Sequence, residues 1–205
     1  MDIVNQNLRD RLQTTFKSYL KHAVEHAMND SATENDVLQV IVNIQASLEL
    51  LSKLYVLQYE GWKGIVDTRF HDKSEQELIT AIHDGTIKTT PFWKHKEFVV
   101  DRIYLNDDDV VLLDGFQSLR NQAMHLGIIK PSKDVLNEAI WFIVRIINQL
   151  DWQDALPMRY QYMSNSLETL LGEDLYQKLI HNSCYVDEAV DRAYELYPDD
   201  VKNCL

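Results

Sequence analysis

Apolar residues recur every three or four positions along much of this chain, and this spacing constrains the fold more than any other feature. In the clearest stretch, six residues alternate four and three apart, the repeat that lines one face of an α-helix. These are Val37, Ile41, Ile44, Leu48, Leu51 and Tyr55. A helix is therefore predicted from a cap at Thr33 or Asn35 to the region of Gly61. Its opposite side carries Glu49 and Lys53, an acid-first i,i+4 pair.

The same spacing predicts further helices over residues 5–28, 74–83, 133–150, 158–181 and 187–197, and another that opens at Asp107–Asp109 and stops at Gly127. In the first helix the predicted apolar stripe is Leu8, Leu12, Phe16, Tyr19, Ala23 and Ala27. Between residue 61 and about 105 the periodicity weakens, which predicts an irregular insertion. With 6 Gly and 4 Pro, the chain has few turn-forming residues. We therefore predict an all-α fold: an antiparallel helical bundle over 1–150 with a helical extension, 151–205, packed on the same domain.

Several classes of protein are disfavoured by what the sequence lacks. The most apolar stretch, 139–147, is short and contains Arg145, and the N-terminus has no basic region followed by an apolar core. Neither a membrane span nor a secretory signal is predicted, which favours a cytoplasmic location. Cys184 and Cys204 have no partners at metal-ligand spacing. Phosphate loops, zinc-protease helices and serine-hydrolase elbows are also missing, so no metal or cofactor is expected.

The charge of the chain counts against broad nucleic-acid binding. Its 32 acids and 20 bases give a formal net charge of −12, which repels a polyanion at long range. A nucleic-acid site therefore requires a local cluster of bases. The acidic surface would otherwise suit a basic protein partner.

One string of residues suggests chemistry: Arg120-Asn121-Gln122-Ala123-Met124-His125. The stripe Leu112, Phe116, Leu119, Ala123 and Leu126 sets the buried direction of the helix that contains it. At 100° per residue, Asn121 and His125 point nearly opposite to that stripe, on the same polar side as Asp114 and Ser118. Arg120 lies on the flank, where its long side chain can reach this polar side.

These side chains suit cleavage of a phosphodiester. A histidine can exchange protons near neutral pH, with a ribose 2′-hydroxyl or with the leaving 5′-oxygen. An arginine can bind phosphate through two hydrogen bonds and stabilise the extra negative charge of the transition state. Asn121 can orient a hydroxyl, a phosphate oxygen or the imidazole.

The stretch 118–127 resembles the signature of the HEPN superfamily, an Arg followed after four to six residues by His, with Asn directly after the Arg. Glu49 and Lys53 resemble the Glu-x-x-x-Lys stretch on an earlier helix of many such proteins, and the order of the elements is also similar over roughly residues 5–150. This resemblance implies a homodimer in which two motifs face one another and form a metal-independent endoribonuclease, as in toxin–antitoxin or antiviral systems. It implies Arg120, Asn121 and His125 as catalytic residues, with Glu49, Lys53 and Ser118 adjacent.

Other interpretations of these residues stay open. His125 would also be favourable near the C-terminal end of a helix, Arg120 can pair with any nearby acid, and Glu49–Lys53 can be a simple surface ion pair. Trp93, Lys94 and Lys96 could stack on and neutralise single-stranded RNA, or fold back onto the bundle as structural residues. The alternative for the whole chain is a non-catalytic helical module that binds a basic protein, through its acidic surface or through 151–205.

Overall fold

Two long helices, α1 (Ile3–Ala27) and α2 (Glu34–Glu60), form the centre of the part of the chain that the structure describes. A computed structural model describes residues 2–29, 33–102, 107–126 and 168–181. Hydrogen bonds at both ends show that α1 and α2 are antiparallel: Asn5 at the start of α1 accepts from the Trp62 N–H just after α2, and His26 at the end of α1 contacts Asp36 at the start of α2. The predicted all-α class is confirmed.

The chemistry of the helix ends explains where α2 begins and ends. The Thr33 hydroxyl accepts from the Asp36 N–H while the Asp36 carboxylate accepts from the Thr33 N–H, a reciprocal cap that satisfies two free donors. Hydrogen bonds from Thr33, backbone first and then hydroxyl, and from His26 lower the pKa of Asp36. Gly61 ends α2 with a φ of 72°. Of the two predicted caps, Thr33 and Asn35, Thr33 is the one observed, and the predicted stop near Gly61 is confirmed.

The remaining described helices pack around this pair. They are α3 (Trp62–Ile65), α4 (Glu75–His83), α5 (Phe92–Arg102), α6 (Asp107–Leu126) and α7 (Glu173–Ile180), together with a 3₁₀ helix at Thr68–Phe70 and helical residues at 168–171. Helices α3, α5 and α6 contact α2, while α4 and α7 contact α1. Because partners lie on several sides of α2, its buried positions extend well beyond one stripe and include Asn43, Gln45 and Ser47.

The predicted core is largely correct in α1 and α2, with two errors. The periodicity places Tyr19 on the buried stripe of α1, but Tyr19 is 37% exposed, whereas the neighbouring Leu20 is fully buried. At 3.6 residues per turn, the third and the fourth residue after Phe16 both lie near the same face, so spacing alone does not decide between them. The larger error concerns Lys53, which the periodicity places on the solvent side of α2 and which is in fact 6% exposed.

The segment predicted as an irregular insertion contains more helix than expected. Besides α4, whose cap at Ser74 matches the predicted start, residues 92–102 form helix α5. The chain segments before and after α4 are joined by an isolated bridge between Val66 and Thr89 and by a hydrogen bond from Thr90 N–H to the Ile65 carbonyl. These two backbone contacts hold together the segments that lead from α3 to α5, and both of these helices contact α2.

Within the predicted C-terminal extension, 151–205, the structure describes only residues 168–181. There, helical residues 168–171 are separated from α7 by Gly172, whose φ is 84°. The predicted continuous helix 158–181 is therefore interrupted at Gly172, since this left-handed backbone ends the preceding helix. The predicted helices at 133–150 and 187–197 lie outside the described residues.

One described helix, α2, is long and apolar enough to cross a membrane by length and composition, and 78% of its apolar window is buried inside the protein. No membrane span is predicted from the sequence because the stretch 139–147 is short, but α2 is longer than that stretch. Buried core helices can have the same length and composition, and α2 packs against α1, α3, α5 and α6.

Replacing either of two glycines with alanine is expected to change the stability of the protein, in opposite directions because the two backbone conformations differ. Gly61→Ala is expected to lower the free energy of unfolding by about 1 kcal/mol, because a Cβ disfavours φ of 72°. Gly115→Ala is the control: it lies within α6, where an added Cβ meets no atom within 4 Å, and it is expected to raise stability by about 0.5–1 kcal/mol. Urea unfolding measures both. Equal effects of the two substitutions would contradict the assigned conformations.

Candidate functional site

The predicted catalytic side chains lie on α6, and the structure describes two of the three. Arg120 and Asn121 are both exposed, and the Arg120 Nη1 donates to the Asn121 Oδ1 over 3.0 Å. Ser118 is also exposed and accepts from the Gln122 side-chain amide over 3.2 Å. The side chain of His125 lies outside what the structure describes, so its pairing with Asn121 stays a prediction.

The packing of α6 explains this exposure. Leu113 is buried and Leu119 is partly buried against the core, and α6 packs on α2. Asp114, Ser118 and Asn121 follow one another at four and three residues on the other side, and all three are exposed. The predicted polar side of α6 is therefore confirmed at these three positions. The other four predicted stripe side chains, at 112, 116, 123 and 126, lie outside the described set.

Glu49 and Lys53 are not a simple surface pair. The Lys53 Nζ donates to the Glu49 Oε1 over 2.6 Å, with the Lys53 side chain 8% exposed and that of Glu49 36% exposed. The carboxylate thus reaches solvent while the ammonium is covered. The pair contributes to the packing of α2, against which the site helix lies. Within the described part of the chain, Arg120 bonds to Asn121 and Lys53 bonds to Glu49, so the two predicted groups of site residues are not joined to each other by these bonds.

His95 on α5 is a buried titratable residue that the sequence did not reveal. It is 2% exposed, and its Nε2 lies 2.7 Å from the Thr90 Oγ1 and 3.2 Å from the Thr90 carbonyl oxygen. The Thr90 hydroxyl is also placed to donate to the Ile65 carbonyl over 3.2 Å. A protonated Nε2 satisfies both Thr90 oxygens at once, so the imidazole acts as a donor that fixes the start of α5.

The surroundings of His95 favour its neutral form. Burial is the main cause that lowers the pKa of His95. The hydrogen bond to the Thr90 backbone raises this pKa, the positive charge of Lys53 lowers it, and the negative charge of Glu49 raises it. A neutral imidazole therefore lies close to the Glu49–Lys53 pair. In the sequence, His95 lies in the aromatic and basic segment 92–96, but the composition of that segment does not show which of its residues points inward.

Acid is therefore expected to weaken the fold through His95. The unfolded residue takes up a proton near its ordinary pKa of about 6.5, whereas the folded residue does so at lower pH. Below about pH 6.5 the unfolded state binds more protons, so the free energy of unfolding falls as pH falls through this window. Urea unfolding between pH 5 and 8 measures it. His95→Asn should flatten the dependence, and an unchanged slope in that variant would exclude His95 as its source.

The three basic-segment residues predicted to bind substrate divide into two groups. Trp93 is 62% exposed, and the Lys94 Nζ lies 5.6 Å from its ring centroid. Lys96 instead forms an ion pair with Asp114 of α6. The ion pair of Lys96 therefore links α5 to α6, while Trp93 and Lys94 face solvent.

A second surface feature does not include any predicted site residue. It is a groove of 340 Å³ between Phe70 and α4, lined by residues 70, 73, 76, 77, 80, 81, 84 and 86. Lys73 and Glu77 in this groove bind each other over 3.1 Å. Hydrogen bonds from Ser74, backbone and hydroxyl, and then from Lys73 lower the pKa of Glu77 to about 2. The Glu77 carboxylate therefore forms part of the cap at the start of α4.

Comparison with protein-family models, curated proteins and solved structures finds no match to this chain. Among the residues that the structure describes, no group of three or more His, Cys, Asp or Glu side chains is arranged to hold a metal ion. Function is therefore inferred from the residues of α6 and their neighbours.

Proposed function

We propose that this protein is a metal-independent endoribonuclease of the HEPN type, which acts in the cytoplasm as a homodimer in a toxin–antitoxin or antiviral system. The observation that carries the proposal is the exposed Arg120–Asn121 pair on α6, with the guanidinium held by the Asn121 amide oxygen over 3.0 Å. A phosphate-binding group is thereby oriented on the polar side of the helix whose next turn contains His125.

The proposed reaction is an internal transfer at phosphorus. The ribose 2′-oxygen forms a bond to phosphorus, the bond from phosphorus to the 5′-oxygen breaks, and the products are a 2′,3′-cyclic phosphate and a 5′-hydroxyl. His125 exchanges a proton with the attacking or the leaving oxygen. Arg120 stabilises the charge that develops on the phosphoryl oxygens, and Asn121 orients Arg120. In a homodimer the second copy supplies a second set of these residues.

The test is cleavage of a mixed single-stranded RNA by the purified protein in EDTA, with analysis of the product ends. Cleavage that leaves cyclic phosphate in the wild type and is lost in both Arg120→Ala and His125→Ala supports the proposal. The matched control is Arg69→Ala, which removes an exposed arginine that pairs with Asp67 and lies outside α6. No cleavage by the wild type, or equal cleavage by all variants, would overturn it.

The second candidate is a non-catalytic helical module that binds a basic protein, and the charge of −12 favours it. An antitoxin that covers the acidic surface would combine the two functions. The candidates differ in a growth experiment without any partner gene: a toxic nuclease slows growth in the wild type and not in His125→Ala. Equal growth of both would remove the toxin version and favour the binding module.

A further inference from the structure

The ion pair between Lys96 and Asp114 fixes how the exposed face of α5 adjoins the site helix. Lys96 lies six residues before the end of α5, and Asp114 lies seven residues after the start of α6. The ion pair therefore places the middle of α5 beside the first half of α6.

The ion pair also limits the distance between Trp93 and Arg120. Trp93 lies three residues before Lys96 on α5, about 4.5 Å along the axis, and Arg120 lies six residues after Asp114 on α6, about 9 Å along the axis. Trp93 and Lys96 share one face of α5 because they are three residues apart. Trp93 and Arg120 therefore lie within about three helical turns of each other along the axes, whichever way the two helices run.

The charge of this region also differs from that of the rest of the chain. Residues 61–102 contain seven lysines and arginines and seven aspartates and glutamates, so the entire excess of twelve acids lies outside this segment. Lys96 further compensates Asp114 on the site helix. Close to Trp93, Lys94 provides an ammonium beside the ring, although the exposed Glu97 lies one turn further on.

We propose that Trp93 and Lys94 form a binding surface for single-stranded RNA next to Arg120 and Asn121, in which a base stacks on the Trp93 indole and Lys94 binds a phosphate. An exposed aromatic ring with an adjacent cation is the combination that binds single strands without sequence readout. This inference rests on the proposed function, and it assigns to α5 the contact with the nucleotides that flank the cleaved bond.

The test uses the full chain and a labelled single-stranded oligonucleotide whose riboses are 2′-O-methylated, so that binding is measured without cleavage. Trp93→Ala is expected to weaken binding about 5-fold to 100-fold, the loss of one stacked base, and Trp93→Phe should retain most of the affinity. Tyr19→Ala is the control, since Tyr19 is an exposed aromatic residue on α1. Lys94→Ala should reduce the salt dependence by about 0.7 in the slope of log K against log salt.

The outcomes separate this inference from the proposed function. Wild-type cleavage with unchanged binding and KM in Trp93→Ala would overturn the RNA surface and leave the nuclease. Binding that depends on Trp93 without any cleavage would support the surface and reject the nuclease. A wild type that neither binds nor cleaves would reject both. If Trp93→Ala instead changes self-association in analytical ultracentrifugation while RNA binding is unchanged, Trp93 belongs to a protein interface and the proposal is wrong.

Discussion

Replacing Arg120 with lysine is expected to lower the rate of RNA cleavage by about 10²-fold to 10³-fold, even though the positive charge is kept. Lysine presents a point charge on a flexible chain, whereas the planar guanidinium binds phosphate through two parallel hydrogen bonds. In this protein the geometry is set further by the Asn121 Oδ1, which holds one guanidinium nitrogen at 3.0 Å. A lysine amine at this position has no second nitrogen left to offer the phosphate in a fixed direction.

Single-turnover rates measure this effect, and Asn121→Ala extends it. If Asn121 acts by orienting Arg120, the double variant Arg120→Lys/Asn121→Ala should lose little more than Arg120→Lys alone, because both changes remove the same interaction. Arg69→Lys is the control at an exposed, acid-paired arginine. Cleavage by Arg120→Lys within about twofold of the wild type would show that the charge suffices and that the orientation by Asn121 has no role.

Glu49→Gln is expected to destabilise the protein by about 1–3 kcal/mol, while Lys53→Met should change stability by less than about 1 kcal/mol or increase it. The two residues form one ion pair, but their surroundings differ: the Lys53 side chain is 8% exposed and that of Glu49 is 36% exposed. Removal of the carboxylate leaves a covered ammonium with no compensating charge. Removal of the ammonium leaves a carboxylate that reaches water, and the methionine fills the space of the lysine chain.

Urea unfolding at neutral pH measures both variants. The double variant Glu49→Gln/Lys53→Met should be close to Lys53→Met, because the cost of Glu49→Gln arises only while Lys53 is present. Glu25→Gln is the matched control: it removes an exposed acid that lies 4.0 Å from Lys21 and 3.1 Å from His22, and should change stability by less than about 0.5 kcal/mol. Equal losses for Glu49→Gln and Lys53→Met would contradict the asymmetry.

Features that depend on short-range interactions could be predicted from the sequence. Gly61 and Ser74 are helix boundaries that the sequence predicts correctly, and Thr33 is one of its two candidate caps for α2, because caps and stops depend on the nearest few residues. The exposure of Asn121 was also predictable, since it follows from its angle to the apolar positions of its own helix. The polar side of α6 at Ser118 follows from the same angle.

The burial of Lys53 and His95 could not be predicted in this way. Each is a polar residue whose environment is created by another helix: α5 packs against α2 although thirty-one residues, 61–91, separate the two helices in the chain. The periodicity within α2 places Lys53 in solvent because it contains no information about that neighbour. In α5, eleven residues long, the apolar pattern is too short to show that His95 points inward and Trp93 outward.

The antiparallel pairing of α1 and α2 has a consequence for how the chain folds. Their connection is short, with six residues between Ala27 and Glu34, so the largest interface in the described part of the protein joins segments that are neighbours in the chain. Such an interface forms with little loss of loop entropy. We expect this hairpin to form early and its central amides to exchange with solvent most slowly, with α5 and α6 docking afterwards onto a surface that already exists.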